Sequence, residues 1–488
     1  MKDINEYTAE ALRRAESKKA ERKHKRRTAL AVGAPLALVM IAAAVILPQV
    51  LGGRAPETGD KQADNMPVFT EQAADTDNVN ETYAPDGTAE PTASPVDIPI
   101  VNTGTVDLMD GITPNSTGAA PSVNEESLKA YNDFALRVFR AAQNGENELI
   151  SPMSLLCALS MAANGAEGET LLEMEQALGM TREELNDFWR GCCALMPSLE
   201  ASRLEMANSI WFTSNDGFTV NKEFLQQNAD IYKADIFKAP FDESTLRDIN
   251  AWVNEKTEGM IPEILDEIPE NVVMYLINAL TFDAEWENKY ADYSISSGDF
   301  RMADGSVRSV ELMHGKVDGY LSDDNAEGFI KYYAGKRYAF AALLPDEGMS
   351  VEQYVASLTG EKLMSILGGV SPVETTAAIP KFEVKYSTEL SELLISMGMK
   401  DAFDPDRADL SSLGGCESDG PLYVSRVLHK TFLSVDASGT RAGAVTAIAI
   451  PNDGGFPEHS ITLDRPFVYM LIDCETNLPF FIGTLMEP

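Results

Sequence analysis

Apolar and polar positions along the chain fall into three regimes. No charged residue occurs from Thr28 to Gly53, and Ala29 to Leu51 reads ALAVGAPLALVMIAAAVILPQVL. Such a run is long enough to cross the roughly 30 Å hydrocarbon core as a helix, and longer than the about 7 to 15 apolar residues of a secretory signal. Pro35 and Pro48 sit near its two ends, where a missing N–H matters least. Residues 54–122 then lose all periodicity, with 8 Pro and 12 Asp plus Glu against only Arg54 and Lys61. A stretch of that composition buries too little apolar surface to offset its chain entropy, which predicts a disordered tether. As a flexible coil its 69 residues span about 45 to 50 Å on average.

The third regime starts at residue 123 and mixes two periods. Leu128, Tyr131, Phe134, Ala135, Val138 and Phe139 recur at helical spacing behind Asn124, and a second apolar helix is predicted from Ser151 and Pro152. Strand-like runs follow at Leu204 to Phe212, Val272 to Phe282, Tyr338 to Leu344 and Tyr423 to Val435. Two more close the chain, Phe467 to Ile472 and Pro479 to Leu485. The expected class is α+β, with large sheets and helices packed on them.

Charge adds an orientation. The chain carries 39 Lys plus Arg against 76 Asp plus Glu, a net −37, which repels phosphates and excludes nucleic acid as a partner. Residues 1 to 28 are the exception at +5, and Lys18, Lys19, Arg22, Lys23, Lys25, Arg26 and Arg27 directly precede the apolar run. A basic flank of this kind stays in the cytoplasm. The predicted organisation is a basic cytoplasmic segment (1–27), a single membrane-spanning helix (28–53), an acidic linker (54–122) and an extracellular folded domain (123–488).

Candidate chemistry is sparse. Cys157, Cys192, Cys193, Cys416 and Cys474 are odd in number and lack CxxC spacing, so no disulfide framework is implied. His24, His314, His429 and His459 are scattered, which leaves no metal site and no cofactor to expect. Neither a GxSxG elbow, an SxxK set, a P-loop nor a GxGxxG motif occurs, and the chain is not expected to be an enzyme. One segment is unusual. Gly439 to Ile450 (GTRAGAVTAIAI) is built of small or β-compatible residues and runs into a turn-rich PNDGGFP at Pro451 to Pro457. On a period of two, Thr440, Ala442, Ala444, Thr446, Ile448 and Ile450 share one face, small and apolar enough for burial. Arg441, Gly443, Val445, Ala447 and Ala449 share the other, with Arg441 pointing to water, and taken alone the segment reads first as a plain strand with a turn and second as a loop.

Ordered landmarks across residues 123–488 resemble the serpin family. Asn147 to Ser154 (NELISPMS), Gly165 to Thr170 (GAEGET), Leu204 to Trp211 (LEMANSIW), Ile249 to Ile261 (INAWVNEKTEGMI) and Asn278 to Trp286 (NALTFDAEW) come first. Ile379 to Phe382 (IPKF), Ala408 to Ser411 (ADLS), Val424 to Lys430 (VSRVLHK) and Asp464 to Phe467 (DRPF) follow in family order. The resemblance implies a serpin fold of three β-sheets with packed helices and an exposed reactive-centre loop. It also implies a stoichiometric suicide inhibitor of serine or cysteine endopeptidases, expected here to be monomeric and of bacterial type, and carried on the membrane anchor read from residues 28–53. In that mechanism the protease attacks the loop and forms an acyl-enzyme. The freed hinge then enters the central sheet as an extra strand and distorts the trapped protease. The alternative is a non-inhibitory serpin-fold module that binds at the cell surface.

By the same resemblance the hinge is Gly439, Thr440, Ala442, Gly443, Ala444, Val445 and Thr446. Ser151, Ser154, Asn278 and His429 match the shutter where the sheet parts, and Trp286 matches the breach where the loop enters. Family spacing counted from Gly439 puts the reactive bond between Asp453 and Gly454, within a window from Ile450 to Phe456. The chain departs from the family pattern in having Arg441 where Glu is usual. Thr281 and Asp283-Ala284 replace an aromatic and Lys-Gly, and the loop is about two residues longer than in common plasma members.

Overall fold

Helix starts are written in local chemistry. Asn124 accepts the Ser127 N–H at 2.8 Å and opens α1 (Glu125–Ala142), whose Tyr131, Phe134, Ala135, Val138 and Phe139 form one fully buried stripe. Ser151 caps α2 (Pro152–Ala163) by accepting the Ser154 N–H at 3.2 Å, with Pro152 in the first turn where no N–H is needed. All twelve residues of α2 are buried, as a helix apolar on every side requires. The remaining helices are α3 (Gly168–Leu178), α4 (Arg182–Leu195), α5 (Lys222–Tyr232), α6 (Glu243–Lys256), α7 (Val351–Ser357), α8 (Gly360–Gly368) and α9 (Ser391–Ser396). The computed structural model describes residues 104–115, 118–195, 202–214, 218–416, 422–440 and 457–488. All of them lie in one compact unit, Asp97–Pro488.

In chain order the strands are β1 (Val106–Asp107), β2 (Glu148–Ile150), β3 (Ser202–Thr213), β4 (Phe218–Val220), β5 (Asp235–Ala239) and β6 (Met274–Glu285). Next come β7 (Ile295–Arg301), β8 (Val307–Val317), β9 (Gly319–Ser322), β10 (Ala326–Tyr332), β11 (Tyr338–Pro345) and β12 (Thr375–Pro380). The last are β13 (Phe382–Glu389), β14 (Gly414–Cys416), β15 (Arg426–Val435), β16 (Gly439–Thr440), β17 (His459–Thr462), β18 (Phe467–Asp473) and β19 (Leu478–Leu485). They build a seven-stranded sheet ordered β1-β5-β3-β6-β16-β15-β13, a six-stranded sheet β2-β19-β18-β11-β10-β9 and a four-stranded sheet β17-β12-β8-β7. A two-stranded ribbon, β14-β4, is separate. The six strand runs expected from the sequence are β3, β6, β11, β15, β18 and β19, displaced at their ends by no more than three residues.

The seven-stranded sheet positions the site. Its central strand β6 reads MYLINALTFDAE and is buried along nearly its whole length, because both faces are covered. Leu276, Leu280 and Phe282 face the main core, while Tyr275, Ile277 and Ala279 face a second apolar cluster. That cluster is supplied by α6 through Ile249, Trp252 and Val253, and it includes Leu428 of β15.

The end of the segment assigned to the linker is a difference. Val106 and Asp107 pair antiparallel with Lys238 and Phe237 at the edge of this sheet. Thr105 donates to Asp248 at 2.6 Å, the Asn115 N–H donates to Asp230 at 2.6 Å, and Leu108, Met109 and Ile112 pack on the core. The prediction averaged a polar composition over 69 residues and passed over four apolar side chains clustered at its end. The expected spanning helix at 28–53 and residues 54–103 lie outside the described residues.

Candidate functional site: the seam of the central sheet

β6 and β15 run parallel and pair from Arg426 opposite Tyr275 to Thr431 opposite Leu280. This register sets His429 directly opposite Asn278, and the β3–β6 register sets Asn208 on the other side of Asn278. The N-terminus of α2 closes the cluster from below. The Ser151 N–H donates to His429 Nε2 at 3.1 Å, and Ser154 Oγ donates to Asn208 Oδ1 at 3.3 Å. Because Nε2 accepts, the ring proton is assigned to Nδ1, which donates to Asn278 Oδ1. Ser151, Ser154, Asn278 and His429, brought together from three parts of the chain, are all fully buried or within 1% of it. Burial holds the imidazole pKa down to about 3, so the ring is neutral at physiological pH.

This arrangement cannot run hydrolytic chemistry. Both ring nitrogens are engaged, Ser151 Oγ is spent on capping α2, and Ser151, Ser154, Asn278 and His429 are closed off from solvent. What it does is tie β3, β6 and β15 to one helix end across the line where β6 meets β15. One donor is left over: Asn278 Nδ2 is buried without a partner.

At the upper end of the same seam the chain turns back after β15. The Asp436 carboxylate accepts the N–H groups of Ser438 (2.7 Å) and Gly439 (3.2 Å), closing the turn. Gly439 and Thr440 then pair antiparallel with Glu285 and Ala284 of β6, while Thr440 also lies opposite Val435 of β15. A strand is therefore begun between β6 and β15 at this end, while farther down the two still pair directly.

Trp286 seats the turn. Its N–H donates to Ser438 O and its indole N–H to Asp436 O, both at 2.8 Å, and the Tyr290 N–H donates to Ala437 O at 2.9 Å. Tyr333 stacks on the indole at 4.5 Å between ring centroids, and its hydroxyl bonds Thr440 Oγ1 at 2.5 Å. The sequence pointed to Trp286 and Thr440 through the resemblance. Tyr290, Tyr333, Asp436 and Ser438 were missed, since nothing in their local spacing distinguishes them from core and turn residues. Hinge residues Ala442, Gly443, Ala444, Val445 and Thr446, and the reactive bond at Asp453 and Gly454, lie outside the described residues. Among the described residues no cluster of His, Cys, Asp and Glu could hold a metal, and Cys157, Cys192, Cys193 and Cys474 are free thiols.

The profile described as "Serpin (serine protease inhibitor)" matches residues 129–488. The chain belongs to the serpin family. Its relatives run from an archaeon to a mammal. An uncharacterized serpin-like protein of Thermococcus kodakarensis is 28% identical over 375 residues, covering 74% of this chain and 85% of its own. Leukocyte elastase inhibitor A of Mus musculus is 27% identical over 383 residues, covering 74% of this chain and 100% of its own. Among solved structures, the thermophilic serpin Tengpin in its native state shares 45% identity with a TM-score of 0.75, over 79% of this chain and 100% of that one. Tengpin in its latent state aligns less well, at 44% identity and a TM-score of 0.67, over 75% and 99%. Among the described residues the seam holds the two-residue strand β16 between β6 and β15.

Proposed function

We propose that this serpin is a stoichiometric suicide inhibitor of serine or cysteine endopeptidases, held outside the cell by the apolar run at residues 28–53. The observation that carries the reading is β16. Continuing its antiparallel register down the seam would set Ala442, Ala444 and Thr446 opposite Phe282, Leu280 and Asn278 of β6. These are the small and polar members of one face, and small side chains are what a gap opening between packed strands can accept. Thr446 would arrive between Asn278 and His429, where its hydroxyl could accept from the unpartnered Asn278 Nδ2. The seam thus offers a place, a starting register and a waiting hydrogen-bond donor for an inserted strand.

Among the described residues no helix is long and apolar enough to cross a membrane. The anchor rests on the uncharged run and its basic flank.

The test is incubation with a panel of serine and cysteine proteases. The expected result is a 1:1 complex that survives SDS, with a released C-terminal peptide starting at Gly454 or within the window Ile450 to Phe456. Cleavage in that window with neither a complex nor a gain in thermal stability would overturn the inhibitory reading and favour the surface binding module.

A further inference from the structure

The seat of Trp286 and Tyr290 is built on a buried cation. Lys331, next to the end of β10, is 2% exposed and its Nζ donates to Asn288 O at 2.9 Å. The ammonium lies 4.5 Å from the centroid of the Tyr290 ring and 5.4 Å from that of Trp286. Among the described residues no carboxylate comes within ion-pair distance of it. Asp318, whose charge favours the ammonium, accepts the Tyr332 N–H at 2.8 Å. An ammonium with one carbonyl and two ring faces for company costs more than an apolar side chain of the same length would. Core packing alone does not require a lysine here.

Both rings that the ammonium touches belong to residues whose backbone grips the turn after β15. Trp286 holds Asp436 and Ser438, Tyr290 holds Ala437, and the turn in turn sets Gly439 against Glu285 and Thr440 against Ala284. A slip of one residue in that register would turn Arg441 inward and the small face outward. We propose that Lys331 is a positioning residue for loop insertion: its ammonium braces the aromatic seat that fixes the register in which the inserted strand begins. The proposal rests on the insertion mechanism put forward above.

A charge-dependent brace has a pH signature that plain packing lacks. Burial lowers the Lys331 pKa to about 8, so its charge is lost within the range where proteins remain folded. Asp318, before β9, is the charge that acts on the ammonium; on the elements that carry the seat, Glu285 at the end of β6 pairs with Lys289, Glu287 faces Lys336, burial keeps the Tyr290 phenol protonated, and the Asp436 carboxylate is spent on the turn after β15.

The experiment nicks the loop with a general endopeptidase and follows the gain in thermal stability with time, for the parent and for Lys331→Met, from pH 7 to 9.5. The parent should insert about fivefold more slowly at pH 9.5 than at pH 7, the size expected of a buried cation–π brace. K331M should be slow and flat at every pH, and at pH 7 should let more of a target protease escape as cleaved inhibitor. K331M inserting as fast as the parent with the same pH profile overturns the role of Lys331 alone. A parent that inserts on nicking but forms no SDS-stable complex overturns inhibition and leaves Lys331 to be decided by the rates. No gain in stability on nicking overturns both. If K331M does not fold, the parent's profile decides, and a rate constant across pH 7 to 9.5 overturns the proposal.

Discussion

His429 shows how one buried side chain makes a whole seam sensitive to pH. Its folded pKa is about 3, against 6.5 for an exposed imidazole, because charging it would strand a cation in a dry cluster. On acidification the unfolded state therefore takes up the proton first. The contribution of His429 to stability is complete above about pH 6.5 and is lost as pH falls towards 3, at about 1.4 kcal/mol per pH unit. Urea unfolding of the parent and of His429→Asn at pH 7, 5 and 4 should show the parent losing more stability than the variant over this range, and equal losses would mean the ring is not held neutral. Gly439 makes a separate, steric demand. A Cβ there would lie 2.0 Å from Ala284 O and 2.8 Å from the Glu285 Cα, and both are backbone that cannot step aside. Gly439→Ala should push β16 off β6 at a cost of about 1–3 kcal/mol, visible as early loss of amide protection at Thr440, and unchanged protection would mean that Gly439 and Thr440 do not pair with β6 in solution.

At the scale of elements, the proposed insertion would have to part β6 from β15, and α6 bridges that line. Ile277 and Ala279 on one side and Leu428 on the other share an apolar cluster with Ile249, Trp252 and Val253 of the helix. Opening the seam exposes part of this cluster, so the incoming strand must be accepted without further penalty. Ala444→Arg would carry an unpaired charge into the core side of the sheet at several kcal/mol, and should turn the inhibitor into a substrate that is cut and released. Arg441→Glu, on the opposite face, should leave the ratio of trapped to cleaved protein unchanged. If both variants trapped protease like the parent, the period-two insertion would be wrong. The elements themselves were legible because each carries its own signal: the Asn124 cap and stripe of α1, the Ser151-Pro152 start of α2, and β-branched runs such as β15. His429 and Asn278 lie 151 positions apart, and only the family resemblance, not spacing, could join them. The Lys331 brace was invisible, since a lysine at the end of a strand reads as solvated until the fold covers it.

At the scale of the whole molecule, charge and hydropathy divide the chain into parts of unlike composition. Ten basic residues in the first 28 give +5, the next 25 carry no charge, and the remaining stretch is strongly acidic. That order is the one expected of a cytoplasmic flank, a spanning helix and an exported head. Yet the boundary of the head is set by pairing rather than by composition. Thr105, Val106, Asp107 and Asn115 are hydrogen-bonded to β5, α5 and α6, so their backbone is protected although it belongs by composition to the acidic, Pro-rich segment. Proteases reach backbone that can leave its partners, and paired edge residues cannot do so without local unfolding. Protease added to intact cells should therefore release the acidic head and leave a small membrane-bound fragment from the N-terminal end. The released head should begin at or before Gly104, retaining β1, when its N-terminus is sequenced. A head protected until lysis would overturn the proposed export, and a head trimmed to residue 123 would mean that the β1–β5 pairing does not persist in solution.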